Sequence, residues 1–471
     1  MSGTLTRPTE APQLEGFSRE AVEALSRAKG EPDWMRELRL AAWEIYEATP
    51  MPTTQDEEWR RTSLRGLKLD RVRPFAFGAG GGAPVSRLED VPAEARAGLE
   101  EAGADGATGR AGLLVQHNSE VRYHALSDEA AARGVIFTGL DEALRRHPDL
   151  VRKYFMAEAV TPRHDKFSAL HGAFWSGGTF IYVPRNVAVE LPLQSRVYAD
   201  ADAPGIFAHT LIVAEEGAAV SFIDEFVSPT DEGRGAQGFS SGAVELYTGA
   251  GAQIRYFSVQ DWGRHVWHFN TQRVVAQRDS TTNSLTILLG SKLTKTNVES
   301  TLDGQGATSE MLGIYFGDGT QHFDQHTLQD HRRPHTTSDL LFKGVLRDRG
   351  RQVFAGLIRV EPGAQRTDAY QANRNLLLSD KARVDTMPKL EIGANDVRCT
   401  HGATIGQVEP EYLFYLMSRG LERAEAERLI VEGFLDEIVQ RIPLEEVRDR
   451  LSVAIRQKMG LPPRNKEEDY V

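Results

Sequence analysis

The sequence predicts a mainly β protein with helical ends. From Phe167 to about Ile392 the chain runs in short β-rich tracts broken by Gly, Asp and Asn, with hardly a helical period in more than 200 residues. A turn followed by a small residue recurs at Glu216-Gly217-Ala218, Gly249-Ala250-Gly251-Ala252, Gly304-Gln305-Gly306-Ala307, Pro362-Gly363-Ala364 and Asp380-Lys381-Ala382. Both flanks return to the 3.6-residue period of amphipathic helices.

Taken in order, Ser18 is placed to cap a helix running to about Lys29, and Pro32 suits the first turn of a second that carries Trp34, Met35, Leu38, Ala42, Ile45 and Tyr46. Pro50 and Pro52 break the chain, and Thr54-Gln55-Asp56-Glu57 reads as a capping box for a short helix with Trp59 and Leu64. Phe77-Gly78-Ala79-Gly80-Gly81-Gly82-Ala83-Pro84 has the glycines of a dinucleotide loop, but Pro84 stands where the phosphate-binding helix would continue, so a flexible loop is expected. A helix around Asp90 to Glu101, a strand around Leu113 to Tyr123 and helices around Leu140 to Met156 complete a mixed region over residues 1–165.

In the β core, 166–402, alternation such as Ala218-Val220-Phe222 followed by polar corners suits the coils of a β-helix, with small residues at tight bends and apolar ones stacked inward. A large β-sandwich satisfies the same pattern. Over 403–471, Glu409-Pro410-Glu411 opens a helix with Leu413, Phe414 and Leu416, and Gly420 ends it. Leu429, Ile430, Phe434, Leu435, Ile438, Val439 and Ile442 then form a stripe wide enough to bury internally and also dock a partner, before Pro443 restarts the chain into Val447, Leu451 and Ile455.

Composition narrows the function. A chain of 471 residues with 40% hydrophobic content can bury a large core, and a formal charge of -12 argues against a general nucleic-acid binder, whose phosphate contacts need a concentrated basic surface. One cysteine rules out an internal disulfide framework and any Cys-rich site within a single chain. Without an apolar signal-peptide core or a membrane-length apolar run, the expected location is the cytoplasm.

That cysteine, Cys399, lies two residues before His401. On a strand, positions i and i+2 share a face, so thiolate and imidazole can converge there, and these are the donors that iron-sulfur clusters and borderline metals accept. The plainer reading is a buried small hydrophobe beside a hydrogen-bonded histidine. Two ligands cannot close a four-coordinate site alone. The run His322, His326, His331 and His335 invites a metal reading too, but Arg332-Arg333-Pro334 forces a turn before His335 and no cysteine completes the set, so a polar edge or corner is expected. His265 and His268 beside Trp262 and Trp267 suit local packing, and Lys343 either serves an anionic path or snorkels to solvent.

Four tracts in order, Ala169-Leu170-His171-Gly172-Ala173-Phe174, Ile181-Tyr182-Val183-Pro184, Ser338-Asp339-Leu340-Leu341-Phe342-Lys343-Gly344-Val345-Leu346 and Ala364-Gln365-Arg366-Thr367-Asp368-Ala369-Tyr370-Gln371, resemble the core motifs of the SufB/SufD family of iron-sulfur cluster assembly proteins. The resemblance runs over most of the chain. It implies a right-handed parallel β-helix between helical regions, with the C-terminal helices docking the ABC-type ATPase SufC. The phosphate-loop pattern Gly-x4-Gly-Lys-Ser/Thr does not occur, so no ATP site is expected in this chain and ATP would be the partner's.

Within the family, Arg374 stands near where SufB-like chains carry a cysteine, and Gly402 follows His401 where they carry a glutamate; the entry Asp56-Glu57-Glu58-Trp59-Arg60-Arg61-Thr62 also resembles the SufD type. The resemblance therefore implies a non-enzymatic scaffold subunit of a SufBCD-type complex, paired with a SufB-like subunit, with a homodimer in isolation also open. His401 matches the histidine implicated in holding a nascent iron-sulfur cluster at the subunit interface, with Cys399 as an accessory ligand. The alternatives are a SufB-like or homodimeric paralogue, or a carbohydrate-active β-helix enzyme. That enzyme would need paired carboxylates along one groove, for which Asp324, Asp330 and Asp339 are present.

Overall fold

The computed structural model describes residues 15–76, 84–97, 99, 109–229, 236–442 and 445–461. The glycine loop expected at Phe77–Ala83 and the restart at Pro443 lie outside them. The core is a parallel β-helix made of two long sheets. One sheet stacks Leu193–Tyr198, Ala219–Val227, Gln253–Asp261, Thr281–Leu288, Thr308–Gly317, Thr337–Leu346, Asp368–Leu377 and Arg398–Gln407; the strands between them in sequence stack into the other, which ends at Arg383–Ile392. Thr281 stands beside Thr308, Thr308 beside Thr337, Thr337 beside Asp368 and Asp368 beside Arg398, so these coils consume between 27 and 31 residues, whereas the step from Ala219 to Gln253 takes 34. This drift explains why the corner steps look irregular in the sequence.

The corners are built as expected. Ala218, Ala252, Ala307 and Ala364 are buried at the ends of their turns. Beside them, Gly217, Gly251, Asp279, Gly306, His335 and Arg366 take left-handed backbone, and amide-to-carbonyl bonds such as Gly217 to Ala250, Gly251 to Arg278 and His335 to Gln365 tie each corner to the next.

Helical ends cover the outer faces. Arg19–Lys29, capped by Ser18, and Asp33–Ala48 place Trp43 with Trp59, Phe167 and Phe174 against Phe239, Phe269 and Leu293. Arg423–Val439 and Glu445–Lys458 lay Val431, Leu435, Ile438, Val447, Leu451 and Ile455 on Leu285, Ile287, Ile314, Leu341 and Val345 of the other sheet. Much of the stripe expected at 429–442 is thus buried within the molecule, although Leu429 stays exposed.

Several local expectations are corrected. Pro32 is the N-cap of its helix, not a first-turn residue. The capping box at Thr54–Glu57 does not form: Asp56 accepts from the Thr53 backbone N–H at 2.7 Å, and only a single 3-10 turn, Glu57–Trp59, follows. The strand at 113–123 is a hairpin, Gly112–His117 and Glu120–Leu126, folded at Asn118 with φ 53°. Around Asp90 the described residues form a 3-10 turn, Leu88–Asp90, and one helical turn, Ala93–Arg96. The β core opens on a helix, Lys166–Phe174, in which every residue is buried. A helix buried on all sides shows no amphipathic stripe, which is why periodicity missed it. The boundary expected at 402 falls inside the strand Arg398–Gln407.

A buried polar chain links this helix to the coils. His171 Nδ1 lies 2.9 Å from the Ser241 carbonyl, His171 Nε2 lies 3.0 Å from His209 Nδ1, and His209 Nε2 lies 3.0 Å from Glu245 Oε1. Glu245 also accepts from the backbone N–H groups of Met156 and Val160 and from the Tyr247 hydroxyl. A carbonyl can only accept, so His171 carries its proton on Nδ1; a neutral His171 then accepts at Nε2, and His209 donates from Nδ1. His209 Nε2 is left as an acceptor, and the remaining proton belongs on Glu245. Burial drives the charges the same way: it pushes the Glu245 carboxyl up to about 8 and takes His209 down to about 3.

Candidate functional site

Cys399 and His401 lie on Arg398–Gln407, the outermost strand of its sheet. Facing follows from register. Cys399 pairs with Ala369 and His401 with Gln371, both buried and lumen-facing, whereas Ala372 and Leu376, of the opposite parity on that strand, face the C-terminal helices. Parallel partners share a face, so Cys399, His401, Ala403 and Ile405 point toward the bore of the coil. No further coil covers them among the described residues, and His401 is exposed.

Across the bore, Arg383–Ile392 is the outermost strand of the opposite sheet. Leu390, Ile392 and Ile405 keep 38%, 39% and 48% of their surface at this mouth, so His401 stands in an apolar rim between two ten-residue strand edges without an outer partner among the described residues. Cys399 packs deeper, against Ile358, Val360, Ala364, Ala369 and Ala394. Burial raises its thiol pKa, and the Asp368 carboxylate raises it further. The sequence placed the two side chains on one face; it could not show that the face is the open end of the solenoid.

The histidine run disperses. His335 is a left-handed corner residue, and His331 is held inside by Thr336 Oγ1 at 2.7 Å and Ser338 Oγ at 2.8 Å, with burial lowering it to about 4. His322 and His326 flank Asp324 on the outer face, where the Thr62 hydroxyl reaches both His322 Nε2 (2.9 Å) and Asp324 Oδ2 (2.5 Å). Lys295 Nζ stands 3.0 Å from Asp324, the place a cation would take. Burial alone would raise the Asp324 carboxyl, but Lys295, His326 and Thr62 outweigh it and hold it well below the usual carboxylate range. Among the described residues no three His, Cys, Asp or Glu side chains form a metal-holding group.

The carboxylates considered for glycoside chemistry are each neutralised separately: Asp324 by Lys295, Asp330 by Arg332 and Arg359, and Asp339 by Arg441. His268 is buried with Nδ1 3.1 Å from Ser240 Oγ. Lys343 neither lines the bore nor reaches solvent. Its Nζ donates to the Phe434 carbonyl at 2.8 Å and meets Glu437 at 2.7 Å, and Arg374 shares Glu437 at 2.7 Å. Both cations tie the helix Arg423–Val439 to the coil, on the face opposite His401.

One surface that the sequence named only as helical is exposed apolar area. On the helix Pro410–Ser418, Tyr412, Phe414, Tyr415 and Met417 keep 61%, 74%, 56% and 43% of their surface. Behind it, a cavity of about 370 Å³ is lined by Leu377, Leu378, Leu413, Phe414, Met417 and Glu427, among others. Among the described residues no helix is long and apolar enough to cross a membrane.

Residues 197–434 match the family model described as the SUF system FeS cluster assembly SufBD core domain, and residues 111–195 match the SufBD protein N-terminal region. The iron-sulfur cluster assembly protein SufD of Bacillus subtilis (strain 168) is 34% identical over 444 residues, 93% of this chain and 97% of that protein. SufB of the same organism is 32% identical over 436 residues, 91% of this chain and 90% of that protein. An iron-sulfur cluster assembly SufBD family protein of Staphylococcus epidermidis is 31% identical over the same shares. Matched through both its N-terminal region and its β-helical core, this chain belongs to the SufB/SufD family of iron-sulfur cluster assembly proteins.

Proposed function

We propose that this protein is a SufD-type, non-catalytic scaffold subunit of a cytoplasmic SufBCD-type complex, and that it contributes His401 to an iron-sulfur cluster assembled at the interface with a SufB-like subunit. The observation that carries the reading is the open mouth of the β-helix: two ten-residue strand edges frame an exposed imidazole in an apolar rim. Strand edges recruit another chain by extending the ladder, and apolar rims exclude water around what they enclose. Cys399 shares the face but is packed and raised toward the thiol, so it stands second to His401.

One or two ligands are fewer than a cluster needs, so the other donors come from the partner. A neutral imidazole holds iron less tightly than thiolate, which suits a cluster that is cargo to be handed on. SufB and SufD of B. subtilis are almost equally similar to this chain, so the choice of type rests on Arg374 and Gly402. Arg374 is engaged with Glu437 and offers no lone pair to iron. The exposed aromatic helix Pro410–Ser418 suits docking of a SufC-like ATPase, whose ATP site this chain does not duplicate.

The test is co-expression with SufB-like and SufC-like partners, anaerobic purification, and iron and sulfide analysis of wild type beside His401→Ala. Cluster lost from an intact complex is expected. Equal cluster in both would reduce this subunit to an architectural partner.

A further inference from the structure

The two strand edges at the mouth are not equivalent. On a parallel ladder each residue aims its N–H and C=O to one side and its neighbours aim theirs to the other, so a single bond to the inner strand fixes the direction of every residue beyond it. Arg398 donates its N–H to the Thr367 carbonyl. The even-numbered residues of Arg398–Gln407 therefore bond inward, and Cys399, His401, Ala403, Ile405 and Gln407 aim their backbone N–H and C=O at the open edge. On the opposite sheet Arg383 donates to the Gly350 carbonyl and Gly393 to that of Val360, so the pattern holds from end to end and Val384, Thr386, Pro388, Leu390 and Ile392 face out.

Pro388 thus stands at the centre of that second edge with no N–H to give, and its ring occupies the place of a partner's carbonyl. The outer face of the same strand carries Arg383, Asp385, Lys389 and Glu391, and Glu57 and Arg61 of the N-terminal region pair with Lys389 and Asp385 there. Proline and charge are the devices by which a sheet edge refuses another strand. Arg398–Gln407 has neither beyond its first residue, since its outer face continues with Thr400, Gly402, Thr404 and Gly406.

We propose that an extended segment of the SufB-like subunit adds to the edge of Arg398–Gln407 and to that edge alone, bonding the outward N–H and C=O groups of His401 and its alternate neighbours, while Pro388 keeps the facing edge unpaired. A second copy of this chain would bring only another packed Cys399, the single cysteine of the sequence, so the chain that completes a cluster here is a different one. Whichever way the added strand runs, the residue laid beside His401 shares its face at about 5 Å. The backbone of His401 thereby selects which partner side chain enters the mouth next to the imidazole. The choice of edge stands on the bond directions; the identity of the partner and the use of the juxtaposition rest on the scaffold reading above.

The experiment is hydrogen exchange of the full chain, alone and bound to the SufB-like subunit, read residue by residue across 383–407. The N–H groups of Cys399, His401, Ala403 and Ile405 should slow by about tenfold or more in the complex, while those of Thr386 and Leu390 keep the rate of the isolated chain. Proline gives a matched pair of variants, because at either edge it removes an N–H that has no backbone partner among the described residues. Ala403→Pro should weaken binding about tenfold and Thr386→Pro should leave it unchanged. Equal protection of both edges, or none on Arg398–Gln407 in a formed complex, overturns the proposal without any variant and leaves the partner reading standing. A wild-type chain that does not bind the SufB-like subunit overturns both. Protection of the Arg398–Gln407 edge together with normal cluster in His401→Ala would retain the edge assignment and remove the ligand role.

Discussion

His209 Nε2 and Glu245 Oε1 meet at 3.0 Å with no exposed surface on either residue, at the end of a hydrogen-bond chain whose other terminus is a carbonyl. Burial disfavours charge on both groups, and with His209 neutral the donor directions leave the shared proton on Glu245, so this contact is a neutral acid donating to a neutral imidazole rather than an ion pair.

That assignment predicts an uncommon tolerance. In Glu245→Gln the amide N–H₂ can donate to His209 Nε2 while its oxygen continues to accept from the Val160 N–H, so the expected cost is that of the one backbone N–H, Met156, that loses its acceptor, about 1–2 kcal/mol. Glu245→Ala removes the donor and orphans the N–H groups of Met156 and Val160, for about 3 kcal/mol or more. Chemical denaturation of both variants checks this. A Gln variant as damaged as the Ala variant would mean that a buried imidazolium had lost its carboxylate.

The pH dependence follows from the same group. With its folded pKa raised to about 8 from 4.5, Glu245 binds its proton more tightly in the native state, so its contribution is complete below 4.5 and is lost as pH rises toward 8. Replacing it with Gln removes that loss. The stability of Glu245→Gln relative to wild type should therefore rise between pH 4.5 and 8, by on the order of 1 kcal/mol per unit. His209, lowered to about 3 from 6.5, acts oppositely: its contribution is complete above 6.5 and lost as pH falls toward 3, in both proteins.

Two glycines separate packing from propensity. A Cβ on Gly344 would lie 1.8 Å from the Tyr315 ring, which is itself fixed by Asn373 and Asn375, so Gly344→Ala should cost about 3 kcal/mol and lower the melting temperature. Gly433 lies exposed within the helix Arg423–Val439 with nothing within 4 Å of its would-be Cβ, and Gly433→Ala should gain about 0.5–1 kcal/mol. Thermal melts of the two variants should move in opposite directions.

How much of this was legible differs by element. Strand alternation and corner alanines declared the strands and their turns, because period two and tight turns are local properties, whereas the choice of a β-helix over a β-sandwich came from the family resemblance. The helix Lys166–Phe174 was hidden because burial on every side erases its stripe, and the role of Lys343 was hidden because Glu437 is 94 residues away in sequence. For the site, Cys399 and His401 could be placed on one face by spacing alone. That this face is the mouth depends on stacking between coils that no local pattern records.

The last prediction concerns the helix Pro410–Ser418. Four large side chains, Tyr412, Phe414, Tyr415 and Met417, face solvent on nine residues, a concentration of apolar area that marks an interaction surface rather than a solvated face. None of them packs into the main clusters that hold the C-terminal helices, which draw instead on Val431, Leu435, Ile438, Val447 and Leu451. Truncating Phe414 and Tyr415 together to alanine should therefore leave the melting temperature of the isolated chain unchanged. Buried aromatic anchors at interfaces are commonly worth about 2 kcal/mol or more each, so affinity for a SufC-like ATPase should fall at least tenfold in a titration. Cluster content measured with the SufB-like partner alone should not change, because the mouth lies on the bore side of the coil. Undiminished ATPase binding by the double variant would move the docking surface away from this helix.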